Sequence, residues 1–287
     1  MRVDIREIQA KSVLTPSSLP GAEYVVNPYV GCTFGCKYCF AAFIGRWKHP
    51  GEEWGSFLDI KTNAPEILLK DLKRLSKKLG AKNFGTILFS SVTDPYLGQE
   101  TKYKITQQCL QVLVNFNYEG KVAVLTKSPL VTRDINLFQK LNSSVGLTLT
   151  TLDDKIVQFL EGNAPPASAR LNALQKLNSA GVETYVFVGP LLPYFTDRFD
   201  QLDKLFNKIE ATGTKEIWLE HINLSPKIKE RLFNYLQKEA PELTPKFQEA
   251  DTHEYRDKLE ATVKKALRNT NLNLAMGSII FHGKVKP

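Results

Sequence analysis

The sequence predicts an α/β fold: a partial (β/α)6 barrel with a parallel sheet, followed by a C-terminal helical extension. Three observations predict it. Short, nearly all-apolar runs alternate with helix-period segments, and strands of that kind are covered on both faces. The count is six strand–helix units, too few for a closed eight-fold barrel and enough for an open, curved one. Polar residues collect just after the strands, in "SSVTDPYLGQE", "TKSPLVTRD", "TTLDD", "GPLLPYFTD" and "EHINLSP". Folds of this class place their reactive groups beyond the C-terminal ends of the strands.

Taken in order, "AEYVVNPYVG" reads as a first strand leading into a cysteine loop. "APEILLKDLKRLSKKLG" is an amphipathic helix, with Leu68, Leu69, Leu72, Leu75 and Leu79 at helical spacing and its lysines on a solvated face. Asn63 is a candidate cap and Pro65 suits the first turn. Strand "TILFSS" then precedes helix "ITQQCLQVLVNF", in which Cys109 is expected in the core. Next come strand "KVAVLT", helix "DINLFQKLN", strand "VGLTLTT" and helix "ASARLNALQKLNSAG". Strand "VETYVFVGP", helix "RFDQLDKLFNKIEATG" and strand "EIWLEHIN" complete the series. Gly80, Gly181 and Gly213 each follow a helix, where a left-handed cap belongs. Two domains are expected: the barrel over 1–223, and an extension over 224–287 packed on its open side.

The chain has 287 residues, 43% of them hydrophobic, which excludes a disordered chain. The N-terminal stretch "MRVDIREIQAKSV" lacks the apolar centre of a signal peptide. No apolar run approaches the roughly 18 residues of a membrane span. The formal charge of +8 favours anionic partners: nucleic acid, nucleotides or acidic small molecules. Four cysteines, three of them clustered, do not make a disulfide framework. A cytoplasmic monomer is the expectation.

The cluster is the sharpest local signal. "NPYVGCTFGCKYCF" sets Cys32, Cys36 and Cys39 in the spacing C-x3-C-x2-C directly after a strand, with Gly31 and Gly35 to turn the chain. Thiolates gather zinc or iron–sulfur clusters. Three ligands leave one coordination position open for chemistry.

This loop, at the head of a six-unit α/β chain, resembles the radical S-adenosylmethionine (SAM) superfamily. With "SSVTDPYLGQE", "LTKSPLVTRD" and "APPASARLNALQKLNSAGVETYVFVGPLLP", the likeness narrows to the spore photoproduct lyase-like subfamily, over about residues 24–222. The resemblance implies a [4Fe-4S] cluster on Cys32, Cys36 and Cys39, whose open iron chelates SAM. Reductive cleavage then gives a 5'-deoxyadenosyl radical that abstracts hydrogen from an unknown substrate. It implies further that Tyr38 lies near the adenine and that Ser91, Thr93 and Asp94 meet the SAM amino group, although the usual Gly-Gly-Glu is missing. Asp94 in Thr-Asp-Pro reads equally well as a turn cap. Lys127, with Arg170 as second candidate, would pair with the SAM carboxylate. Thr150 and Thr151 would face the ribose, and Val188 the adenine. Glu161 stays outside this set. Tyr96 would stand near the substrate, to relay a radical or to pack.

The lyase donates hydrogen from a cysteine after its second strand, where this chain has Ser90 and Ser91. A serine O–H bond is too strong for that role. With no second cysteine cluster, one electron entry point remains, fed by a flavodoxin or ferredoxin. The competing reading is a zinc-stabilised nucleic-acid-binding protein without catalysis, with His49 as fourth ligand. Otherwise His49 is an ordinary surface residue.

Overall fold

The structure is a computed structural model and describes residues 3–283. The first segments hold three strands, two of which the apolar pattern does not announce. β1 (Asp4–Ile8) is mostly exposed and charged, β2 (Leu14–Pro16) is short, and β3 (Tyr24–Val26) is the first strand foreseen. The predicted run does not continue through the cysteine loop as one strand. β4 (Tyr29–Val30) belongs to another sheet, because Asn27 and Pro28 break the ladder. Proline has no N–H to give. The Asn27 carboxamide oxygen instead accepts from the Ser91 and Val92 amides at 3.0 and 3.3 Å.

After a 3-10 turn (Phe40–Ile44) come α1 (Gly45–Lys48) and β5 (Phe57–Lys61). β5 runs parallel to β1 and antiparallel to β4 in a three-stranded sheet. α2 (Ala64–Leu79) is the foreseen amphipathic helix, with Leu68 and Leu72 fully buried and Gly80 left-handed at φ 68°. Each such leucine contributes roughly 1.5–3 kcal/mol. Asn63 does not cap it through its side chain, because the carboxamide exchanges two hydrogen bonds with the Ala10 backbone. β6 (Ile87–Phe89), α3 (Glu100–Tyr103), α4 (Ile105–Phe116) and β7 (Val122–Thr126) follow. Cys109 is buried in α4 as expected.

A 3-10 turn (Pro129–Asp134) leads to α5 (Ile135–Phe138) and the fully buried β8 (Ser143–Thr148). Asp153 accepts from the Lys155 amide at 2.8 Å and so starts α6 (Asp154–Glu161), a helix the apolar pattern does not disclose. α7 (Ala167–Ser179), β9 (Glu183–Leu191), α8 (Phe199–Glu210) and β10 (Glu216–His221) keep the foreseen order.

The tail is more than helices. α9 (Pro226–Glu239), α10 (Thr244–Glu249) and α11 (His253–Leu267) lead to β11 (Asn273–Leu274), which pairs parallel to β10. The main sheet has eight strands in the order β11-β10-β9-β8-β7-β6-β3-β2, mostly parallel, with β2 antiparallel at one edge. Among the described residues no helix is long and apolar enough to cross a membrane.

Two compact units make up the chain, and neither is a continuous segment. One comprises Met1–Gly35, Ala41–Gly146 and Ser179–Glu183; the other comprises Cys36–Phe40, Leu147–Asn178 and Thr184–Pro287. In the first, α2 packs beside α4; in the second, α11 packs beside α8.

Candidate active site

The loop Gly31–Cys39 is built by two short turns. The Gly35 amide donates to the Cys32 carbonyl and the Cys39 amide to the Cys36 carbonyl, each at 3.2 Å. Gly31 has no substitute: its φ is 89°, and a Cβ there would lie 2.5 Å from the Phe57 carbonyl oxygen. None of the three cysteines is in a disulfide; Cys32 and Cys36 are buried, and Cys39 is half-buried. By donor type and spacing, three thiols with no fourth in the run fit a cluster that keeps one iron open, while among the described residues no three His, Cys, Asp or Glu side chains are already grouped to hold a metal ion.

In the first unit, Thr93 donates its hydroxyl to the Gly31 carbonyl, at the start of the loop. Ser91 is held by Asn27, whose Nδ2 donates to its hydroxyl at 3.3 Å. Asp94 has both oxygens committed. Oδ1 accepts from the Thr126 hydroxyl at 2.6 Å and the Tyr96 amide at 2.8 Å, and Oδ2 from the Lys127 amide at 2.8 Å. Burial pushes its carboxyl above the ordinary carboxylate value, and these hydrogen bonds pull the other way. The turn-cap reading therefore describes Asp94 better than a contact to the SAM amino group. Lys127 is half-buried at the end of β7, anchored through its own amide.

Tyr96 is fully buried and does not line an open mouth. Its hydroxyl donates to Asp134 at 3.0 Å, and burial followed by the Asp134 charge holds the phenol well above its usual pKa. Its ring is packed in the interior with the hydroxyl committed to Asp134. Next to it, Glu100 is wholly buried and accepts from the Tyr29 hydroxyl, the Thr106 and Gln107 amides at 3.1 and 3.2 Å, and Arg133 at 2.8 Å.

In the second unit the organising residue is Glu161, the one left out. It accepts from the Tyr38 hydroxyl, from the Thr150 hydroxyl at 2.9 Å and from Arg170 at 2.5 Å. Arg170 is entirely buried and also donates to the Pro165 and Thr148 carbonyls at 2.9 and 3.0 Å. It forms a buried ion pair with Glu161. The Thr150 hydroxyl donates to Glu161. Burial, then the Glu161 charge, raises the Tyr38 phenol far above its usual pKa, so it stays a donor that fixes the ring beside Cys39. Thr151 accepts from the Asp153 amide at 3.1 Å, and Val188 is fully buried in β9. The Cys36 thiol lies 3.8 Å from the Glu161 carbonyl oxygen, and the Lys37 amide donates to Leu160 at 2.8 Å.

Two other histidines complete the picture. His49 is buried and not on the surface. Its Nε2 lies 3.0 Å from Asp59, its Nδ1 2.9 Å from Glu52, and its ring stacks on Phe57 at 3.9 Å. Both nitrogens are engaged, so it does not serve as a fourth metal ligand. His221 ends β10 at 1% exposure, packed by Tyr255 and Phe281. Among the described residues neither of its ring nitrogens has a hydrogen-bond partner. Burial, then the nearby Arg256 charge, lowers its pKa to about 4.

Comparison with known proteins agrees with this layout. The family model described as "Radical SAM superfamily" matches residues 26–206. An uncharacterised protein of Methanocaldococcus jannaschii is 32% identical over 243 residues, covering 84% of this chain and 85% of its own length. An uncharacterised protein of Mycobacterium tuberculosis is 28% identical over 258 residues, covering 86% of this chain and 73% of its own. Among solved structures, a spore photoproduct lyase mutant with bound AdoMet and dinucleoside spore photoproduct superposes with a TM-score of 0.71 at 15% identity. That match covers 96% of this chain and 81% of the other. The shared fold is the partial barrel expected from the strand–helix count. This chain belongs to the radical SAM superfamily, and it is an enzyme that uses a [4Fe-4S] cluster and SAM.

Proposed function

We propose that Cys32, Cys36 and Cys39 hold the cluster and that the enzyme abstracts hydrogen from an anionic substrate of the nucleic-acid class. The observation that carries the cluster assignment is the loop itself: three cysteines outside any disulfide, on two successive turns, at the spacing C-x3-C-x2-C. When bound, the cluster supplies the electron that cleaves SAM reductively into methionine and a 5'-deoxyadenosyl radical.

The chain's own residues do the rest. Lys127 offers a cation for the SAM carboxylate, with its backbone fixed by Asp94. Thr93 and Ser91 offer hydroxyls beside the loop, and Val188 an apolar wall for the adenine. Asp94 fixes the Lys127 amide, and the Tyr96 amide donates to the same carboxylate. Tyr38, Thr150 and Arg170 gather on Glu161. Ser90 and Ser91 occupy the position of the lyase's hydrogen donor and cannot act in that way, so the reaction ends differently from the lyase's. The charge of +8 supports a polyanionic substrate and an acidic flavodoxin or ferredoxin as electron donor. A cytoplasmic monomer, with a boundary near residue 223, fits this reading.

Anaerobic reconstitution is expected to give a brown protein that converts SAM to 5'-deoxyadenosine once reduced. Oligonucleotides are expected to stimulate that turnover, and acidic peptides of equal charge are not. Colourless protein without turnover overturns the cluster assignment, and stimulation by the peptides alone overturns the substrate class.

A further inference from the structure

The cysteine loop is gripped from far along the chain. α9 lies about 190 residues later, and one side-chain nitrogen on it reaches the loop three times. Arg231 Nη2 donates to the carbonyls of Cys36 at 3.1 Å, Lys37 at 2.7 Å and Cys39 at 2.9 Å. One turn later on the same face, the Tyr235 hydroxyl donates to the Phe159 carbonyl at 2.8 Å. Lys37 Nζ lies 4.8 Å from the Tyr235 ring centroid. Ile228, Leu232 and Leu236 are buried alongside, so apolar packing seats the helix while Arg231 and Tyr235 meet the polar backbone.

The geometry has two consequences for whatever the thiolates hold. A trans peptide points its N–H opposite to its carbonyl. Drawing the Lys37 and Cys39 carbonyls toward Arg231 therefore turns the amides of Tyr38 and Phe40 away from it. The guanidinium is also a permanent positive charge. Reduction adds one negative charge to an iron–sulfur cluster, and its potential follows the net charge and hydrogen bonding around it.

We propose that Arg231 is a positioning residue for the cluster: it fixes the peptide planes between Cys36 and Cys39, and its charge raises the potential at which the cluster accepts its electron. The proposal rests on the radical SAM reading. It makes the C-terminal tail part of the cluster's support.

The test compares reconstituted holoenzyme carrying Arg231→Gln, Arg231→Lys or Lys229→Gln with the wild type. Lys229 is the control: it is on the same helix, and its partner is Asp251 at 3.1 Å, not the loop. The readouts are the midpoint potential from a titration followed by electron paramagnetic resonance, and the rate of iron release to a chelator. Arg231→Gln is expected to cut the reduced-to-oxidised ratio at the wild-type midpoint about tenfold, equal to 59 mV for one electron, and to release iron faster. Arg231→Lys keeps the charge on a shorter side chain that holds it farther from the loop, so a smaller shift is expected, and Lys229→Gln is expected to show none. Wild-type potential and iron release in Arg231→Gln overturn the proposal, as does an equal shift in Lys229→Gln. If Arg231→Gln takes up no iron, Arg231→Lys decides: a shifted potential supports the proposal and an unshifted one ends it. A wild-type protein that assembles no four-iron cluster is a distinct outcome, which removes the cofactor assignment and this proposal with it.

Discussion

Glu100 and Glu161 are the same device built twice, once in each unit, and they differ in what backs them up. Each is wholly buried, and each accepts from a tyrosine of the cysteine-loop segment, Tyr29 or Tyr38. Each is also neutralised by an arginine, Arg133 or Arg170. Glu100 has a reserve. Two backbone amides reach it, and the Arg133 side chain is 21% exposed and shared with Asp134. At Glu161 it is the ion pair that differs: the Arg170 side chain is 0% exposed, and its only charged partner among the described residues is Glu161. The difference separates an arginine that reaches water and a second carboxylate from one sealed against a single carboxylate.

The largest expected effect exploits that contrast. Glu161→Gln leaves a buried guanidinium without a counter-charge and is expected to cost about 3–5 kcal/mol in denaturant unfolding. Glu100→Gln, whose arginine keeps Asp134 and water, is expected to cost only about 1–3 kcal/mol. Equal losses would mean that the reserve around Glu100 contributes nothing. Next comes the tyrosine pair. Tyr38→Phe and Tyr29→Phe each remove one hydrogen bond to a charged acceptor, worth about 1.5–3 kcal/mol. Only Tyr38→Phe is expected to lower iron per chain, because Tyr38 lies between Cys36 and Cys39. Iron content that falls equally in both would assign the loop's support to Glu100 as much as to Glu161.

The site was legible where its information is local, and hidden where it is not. Cys32, Cys36 and Cys39 lie within eight residues, and apolar runs such as "KVAVLT" declare their burial in their own composition. Glu161 meets Tyr38 across 123 positions and Arg231 meets Cys39 across 192, so no window of sequence contains either contact. The strand β5, "FLDIK", was obscured because its buried Asp59 looks polar until His49 is found beside it. Arg170 misled for the opposite reason. A cation near a strand end suggests a ligand, and only the fold reveals that Glu161 already has it. Asn63 stands where a cap belongs, yet its carboxamide is spent on Ala10, 53 positions away.

The smallest expected effect concerns the metal. If Glu161 and its partners are assembled by the chain itself, the penalty of Glu161→Gln is the same in protein stripped by a chelator as in loaded protein, to within about 0.5 kcal/mol. A penalty found only with the cluster bound would show that the cluster assembles the carboxylate's surroundings.

His221 makes the tail a place where acid acts. Its imidazole is neutral when folded, with a pKa near 4 against an ordinary 6.5, because it is dry and faces Arg256 and His282, which outweigh the Ala250 backbone and Asp251 opposing them. Above about pH 6.5 folded and unfolded chains both leave it unprotonated, and stability does not depend on it. Between 6.5 and 4 the unfolded chain takes up the proton and the folded one refuses it, so about 3 kcal/mol drains away. Denaturation midpoints measured across that interval are expected to fall steeply, and His221→Gln is expected to flatten the curve. Acid in that interval would thus tax the whole fold through one dry ring, without any group at the cysteine loop having to titrate.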